Sequence, residues 1–340
     1  MSSTASLLAS FALLLFLSVP ANATESDEGI VGRPAVRDFM QQVARRHHYG
    51  LSALERIFGQ VVIQEKVLES IAKPAEAKPW YAYRKLFLTE ARIQGGLNFW
   101  NKHSAALVNA AVRYGVPPEM IVAIIGIETS YGQNVGNYRV IDALSTLAFE
   151  YPKRADFFRR ELEEFLILCR EEGIDPLLPK GSYAGAMGMP QFMPSSYRRY
   201  AADLEGDHQR DIWNNPADAI ASVGNYFSVH GWRQGDPIAF PARISGESYV
   251  RLLTGNLKPS HSVADLRTLG VQIPTPLPDQ TRANLLSLEE ESGPGYWLTL
   301  QNFYVISRYN HSPLYAMATF QLSQELTSRR LTPLPLPATR

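Results

Sequence analysis

The sequence predicts a mainly α-helical protein carrying one small mixed α/β insertion. Three observations carry this reading. Apolar residues recur at helical spacing through most of the first 230 residues. Prolines and glycines then crowd residues 236–300, where that periodicity fades. It returns in "NFYVISRYNHSPLYAMATFQLSQEL" at 302–326.

The N-terminus reads as an export signal. "LLASFALLLFLSV" (7–19) is apolar, and Ala21-Asn22-Ala23 has the small-x-small pattern of a cleavage site. The apolar run falls short of the ~20 residues a spanning helix needs. No Lys or Arg precedes it, so an uncleaved anchor is the alternative to removal of residues 1–23. No cysteine stands at the cleavage site to accept a lipid, which predicts a product without a membrane anchor.

Helical texture starts again at 34–73, around Phe39, Val43, Leu54 and Ile57. "KPAEAKPW" (73–80) interrupts it, and the pattern then runs on through Leu107, Val108 and Val112. Pro117 and Pro118 open the next helix, since proline is accepted in a first turn. Residues 155–172 form an amphipathic helix stopped by Gly173. Asn215-Pro216 is a cap followed by a first-turn proline, starting a helix that ends near Gly231. The expected division is 24–100 as an N-terminal helical domain, 101–235 as the core, and 236–300 as the insertion. A segment at 301–326 completes the helical part, and 327–340 is a loose tail.

Composition narrows function by exclusion. Lys+Arg and Asp+Glu both number 33, so no excess charge points to nucleic acid or an anionic membrane. The single cysteine, Cys169, excludes an internal disulfide and a cysteine-rich metal site. The histidines, His47-His48 included, lack zinc-ligand spacing.

One acid is out of place. In "IIGIETSYG" (124–132) a glutamate ends an apolar helix. Ile121, Ile124, Ile125 and Glu128 share one helical face, and Val122, Ala123 and Ile127 make the remaining faces apolar too. Glu128 therefore belongs at a buried helix end or a cleft wall. Burial and the negative end of the helix dipole both disfavour its charged form. A glutamate kept protonated near neutral pH is a general acid; the alternative is a structural pairing with an arginine or a backbone amide. Thr129 and Tyr131 flank it and are expected to shape its pocket.

A second motif, "GSYAGAMGMPQFMPSSY" (181–197), carries too many breakers for a helix interior or an ordinary strand. Its glycines would let backbone approach a ligand closely. Ser182 and Gln191 offer hydroxyl and amide groups suited to sugar contacts. The competing reading is a tight loop lining the core.

"IETSYG" followed by "GAMGMPQFMPSSY", "DIWNNPADAIASVGNYFSVHGW" (211–232) and "NFYVISRYNHS" (302–312) together resemble the B-type lytic murein transglycosylases of bacterial cell walls. The four motifs stand in the family's order, and the resemblance spans most of 35–325. Lipid-anchored members carry a cysteine at the cleavage site; this chain lacks one and is similar to the soluble periplasmic members. The resemblance implies a goose-lysozyme-like helical core, an additional helical domain and a small β-containing insertion. It implies cleavage of the β-1,4 bond between N-acetylmuramic acid and N-acetylglucosamine, with Glu128 as acid and then base and a 1,6-anhydro product. It further implies that Ser182, Gln191, Tyr226, Tyr304 and Tyr309 line a glycan groove and that Arg154 meets stem-peptide carboxylates. Glycan strands are the implied partner, with cell-wall synthesis proteins beside them. No cofactor is required for the chemistry. A hydrolytic muramidase of the same fold and a non-catalytic glycan-binding protein are the competing functions.

"DLEGDHQRDIWN" (203–214) places Asp203, Glu205, Asp207 and Asp211 at positions 1, 3, 5 and 9 of a calcium-loop pattern. Asp203, Glu205, Asp207, Gln209 and Asp218 are the candidate ligands of a structural Ca²⁺. His208 stands where glycine makes the turn, and Asn214 where a bidentate glutamate is expected. Asp218 could supply the late carboxylate or simply favour the helix start.

Overall fold

The computed structural model describes residues 29–73, 78–273 and 275–331. The expected export signal and most of the expected tail lie outside them. Helices dominate: α1 (Pro34–His47), α2 (Leu51–Phe58), α3 (Glu65–Ile71), α4 (Trp80–Tyr83), α5 (Glu90–Lys102), α6 (Ser104–Tyr114) and α7 (Pro118–Thr129) come first. Then follow α8 (Val140–Glu150), α9 (Ala155–Glu171), α10 (Pro194–Tyr200), α11 (Pro216–Val229), α12 (Val263–Thr268), α13 (Gln301–Tyr309) and α14 (Pro313–Leu331). A two-stranded ribbon, β1 (Tyr138–Arg139) with β2 (Lys180–Gly181), brackets α8 and α9.

The insertion is an antiparallel sheet. Its strands are β3 (Ala239–Ile244), β4 (His261–Ser262), β5 (Val271–Gln272), β6 (Arg282–Glu290) and β7 (Gly293–Thr299), in the order β4-β6-β7-β3-β5. The β6–β7 hairpin turns through Glu291-Ser292, with Gly293 at φ +119°. Leu252, Leu266, Val271, Ala283, Leu285 and Leu298 give the insertion its own small core. The mainly α fold, a lysozyme-like helical core with a small sheet set into it, is the one the sequence predicts.

Two helix starts follow from single residues. Pro118 occupies the first turn of α7. The Asn215 side chain accepts the Ala217 N–H at 2.9 Å and so caps α11 ahead of Pro216. The main core centres on α7. From Met120 to Ile127 every residue of it is buried, packed by α5, α6, α11 and α14. A helix apolar on all sides can fold only when surrounded, which is why the chain must return at 313–331 to cover it.

Candidate active site

The end of α7 is held by unusual backbone. Ser130, Tyr131 and Gly132 all take left-handed conformations, at φ 50°, 64° and 86°. Two of the three are not glycine, so packing must impose the turn. The Tyr131 hydroxyl donates to the Arg92 carbonyl at 2.8 Å. Its ring lies where Gly95, Gly96 and Gly126 leave room, and a Cβ at Gly96 or Gly126 would meet the hydroxyl at 2.5 or 2.6 Å. The Arg92 guanidinium donates to the Gly126 carbonyl, tying α5 to the last turn of α7.

Glu128 emerges from this turn. It is only partly exposed, in a wall of otherwise buried residues. Tyr315, on α14, donates its hydroxyl to Glu128 Oε1 at 2.6 Å. Burial raises the Glu128 pKa from 4.5 to about 7, and the Tyr315 hydrogen bond opposes part of that rise. The carboxyl thus titrates near neutrality, as a group that both gives and takes a proton must. Tyr315 escaped the sequence reading, though it lies inside the quoted segment 302–326. The available clue was a tyrosine in the first turn of a helix destined for burial, whose hydroxyl needs a partner.

Thr129 is the joint between the two motifs. Its hydroxyl donates to the Met189 carbonyl at 3.0 Å and accepts the Gly132 N–H at 3.0 Å. The glycine-rich loop is a self-supporting structure. Met187 and Phe192 exchange backbone hydrogen bonds across it, and Met189 N–H donates to the Ile212 carbonyl at 2.9 Å. Gly188 has φ +65°, and a Cβ there would meet the Ile212 carbonyl oxygen at 2.5 Å. The loop's glycines let backbone approach other protein: Gly181 faces the Ala186 carbonyl, Gly185 faces Leu144 and Gly188 faces Ile212. The expectation of glycines admitting a ligand gives way here to the core-lining alternative, because protein already fills the space.

Ser182 and Gln191 sit on this loop, both partly exposed. Ser182 Oγ accepts the N–H groups of Ala184 and Ala186, at 3.3 and 3.1 Å, and shapes the turn. Gln191, at φ 52°, donates its amide to the carbonyls of Val135 (3.1 Å) and Gly188 (2.9 Å).

The tyrosines divide. Tyr309 lies beside the acid: its hydroxyl donates to the Pro190 carbonyl at 2.7 Å, and burial together with the Glu128 charge raises its pKa well above the ordinary range. Tyr226 packs against Tyr309 with ring centroids 4.7 Å apart and is buried, its hydroxyl donating to the Arg308 carbonyl at 2.6 Å. Tyr304 is partly exposed, with the Arg308 guanidinium 6.0 Å over its ring. Arg154 is exposed at the start of α9, stacked 4.3 Å over Phe157.

A second buried glutamate makes a useful contrast. Glu161, on α9, accepts the Ser195 N–H at 2.9 Å and its hydroxyl at 2.7 Å, so its carboxylate covers the start of α10. Burial raises its pKa, and those two donors oppose the rise.

In the acidic loop, Asp203 accepts the N–H groups of Gly206 (2.6 Å) and His208 (2.8 Å). Asp218 is buried and accepts from Leu204 and Asp211, both at 3.0 Å. Glu205 accepts from the Asn215 amide, and Asp207 from the Gln209 N–H. His208 makes the turn expected of glycine by adopting φ 67°. Among the described residues no three His, Cys, Asp or Glu side chains converge as a metal cluster. The donors present are oxygens, and Asp203 and Asp207 lie close enough to push the Asp218 pKa up further after burial. A hard cation would relieve that crowding.

Residues 32–324 match the transglycosylase SLT domain family. The chain is 41% identical to the membrane-bound lytic murein transglycosylase B of Escherichia coli over 320 residues, covering 91% of this chain and 87% of that protein. Its structure resembles the soluble lytic transglycosylase SltB1 of Pseudomonas aeruginosa, with a TM-score of 0.84, 47% identity, and 87% and 99% of the two chains covered. It also resembles E. coli lytic transglycosylase Slt35 solved in complex with calcium, at TM-score 0.82, 42% identity, and coverage of 89% and 96%. SltB3 of P. aeruginosa, solved with NAG-anhNAM-pentapeptide, matches at TM-score 0.77 and 33% identity, with 86% and 78% covered. The chain belongs to the lytic transglycosylase family of enzymes.

Proposed function

We propose that this enzyme cleaves the β-1,4 bond between N-acetylmuramic acid and N-acetylglucosamine in peptidoglycan without admitting water, using Glu128 alone as acid and base. The observation that carries the reading is the half-hidden carboxyl at the end of α7, tuned to about 7. Protonated Glu128 gives its proton to the bridging oxygen as the C1–O4 bond breaks, and N-acetylglucosamine leaves with a free 4-hydroxyl. The resulting carboxylate takes the proton of the muramyl C6 hydroxyl as O6 bonds to C1. The product is a 1,6-anhydro sugar, and Glu128 ends protonated as it began. An ordinary glycosidase needs a second carboxylate to place water or to attack. Here the nucleophile belongs to the substrate, so proximity replaces that carboxylate. The solved relative holding an anhydro-muramyl ligand supports the same product class.

The remaining roles are those the resemblance implies. Ser182, Gln191, Tyr304 and Tyr309 line the glycan groove, with Tyr226 behind Tyr309 as a buried wall, and Arg154 reaches the charged stem peptide. Asp203, Glu205, Asp207, Gln209 and Asp218 would hold a structural Ca²⁺, which would stiffen the loop after α10. The site of action is the periplasm, after removal of residues 1–23. Digestion of purified sacculi tests the chemistry. Mass spectrometry is expected to find muropeptides one water lighter than hydrolytic products. Glu128→Gln should bind sacculi and lose 10²- to 10⁴-fold in product release, the range for a lost acid–base group. Hydrated ends would instead make the protein a muramidase, and an active Glu128→Gln would remove the acid from the mechanism.

A further inference from the structure

A second cleft opens at the other end of α7. It has a volume of about 880 Å³, within the ~300–1,000 Å³ of small-ligand sites. The aromatic rings of Trp232, Phe240, Trp297 and Phe320 line it, together with the amides of Gln234 and Gln324. The core helices, the insertion sheet and α14 all contribute wall. A smaller pocket of about 370 Å³ adjoins it, sharing Glu119, Phe320 and Gln324. Glu119 and Glu128 are nine residues apart on one helix, roughly 14 Å along its axis at ~1.5 Å per residue. None of Glu128, Tyr315, Tyr309, Ser182 and Gln191 is among the residues that line the cleft.

The lining selects the occupant. Aromatic side chains beside exposed primary amides suit a sugar ring, which has an apolar C–H face and an equatorial rim of hydroxyl and acetamido groups. No Lys or Arg lines the cleft, and Glu119 and Asp236 do, so an anionic ligand is disfavoured. Pro117, Pro118, Pro237 and Pro241 stiffen the rim by fixing φ, so the cleft needs little ordering to bind.

We infer that this cleft is a second carbohydrate site, taking N-acetylated amino sugars of the same insoluble glycan that the enzyme cuts at Glu128. The inference rests on the proposed function. It tethers the enzyme to the mesh by adding one weak contact to another, so its effect appears on the polymer and not on short substrates.

The test uses the full mature chain in the Glu128→Gln background, sedimented with purified sacculi. Trp297→Ala and the double variant Gln234→Ala/Gln324→Ala should each bind at least 5-fold more weakly than the parent. Both glutamines are exposed, so the double variant keeps its core. With Glu128 intact, the double variant should turn over a soluble tetrasaccharide at the unaltered rate and digest sacculi more slowly. Binding equal to the parent in both variants overturns the second site and leaves the proposed function standing. Failure of the parent itself to bind sacculi overturns both.

Discussion

Glu128 and Glu161 are both glutamates driven toward protonation by burial, yet the protein treats them oppositely. Glu161 faces two donors from Ser195 at the start of a helix, and neither of its oxygens is available to an outside group. Glu128 faces one donor, Tyr315, at the end of a helix, and part of its surface meets solvent. The first arrangement uses a carboxylate to finish secondary structure. The second keeps one oxygen uncommitted where a substrate can reach it. Burial alone thus does not mark a candidate acid; the role proposed for Glu128 also needs an unfinished hydrogen-bond complement.

The comparison can be broken most directly by stability. In the folded protein the Glu128 carboxyl titrates at about 7 against an ordinary 4.5. Between those values the folded state holds a proton that the unfolded state has released, so this group makes stability fall as pH rises from about 4.5 to about 7. Glu128→Gln removes that dependence. Denaturant melts should show it more stable than wild type by about 3 kcal/mol at pH 8, with the difference vanishing below pH 4.5. Glu161→Ala should lose about 2 kcal/mol, because it strips two hydrogen bonds from a charged group and uncovers the start of α10. Changes of the same sign in the two variants would erase the distinction.

Tyr315→Phe sharpens it next. The hydroxyl stabilises the Glu128 carboxylate, so its loss should raise the Glu128 pKa further. The alkaline limb of the pH profile of kcat/KM on sacculi should then move to higher pH. The rate at the optimum should drop about 5- to 10-fold, because the carboxyl loses its aim. An unmoved limb would disconnect Tyr315 from the proton.

The smallest effect concerns the acidic loop, whose carboxylates are also occupied by backbone N–H groups. Calcium at about five times its Kd should stabilise the wild type by roughly 1 kcal/mol. Asp218→Asn should abolish that gain. Chelation should lower the melting temperature while leaving the mass of the products unchanged. A change of product on chelation would assign the loop a part in the chemistry.

Much of this was legible in the residues. The acid was conspicuous because Met120 to Ile127 leave no polar face for α7, and a helix period turns that into burial without any knowledge of the fold. The cap at Asn215 and the stop at Gly173 were likewise local facts. Tyr315 was not legible: its contact with Glu128 spans 187 residues of chain, and one tyrosine in a segment with several gives no hint of which reaches the acid. The glycine loop showed the complementary difficulty. Its composition announced close approach but could not say to what, and the answer was the protein's own backbone at Ile212.

Tyr131 sits in a notch that exists only because positions 95, 96 and 126 carry hydrogen where other residues carry carbon. A methyl at Gly96 or Gly126 would meet the Tyr131 hydroxyl at 2.5 or 2.6 Å, so Tyr131 or the α5–α7 packing beside Glu128 would have to shift. The aim of the acid proposed here therefore depends on side chains that were never built.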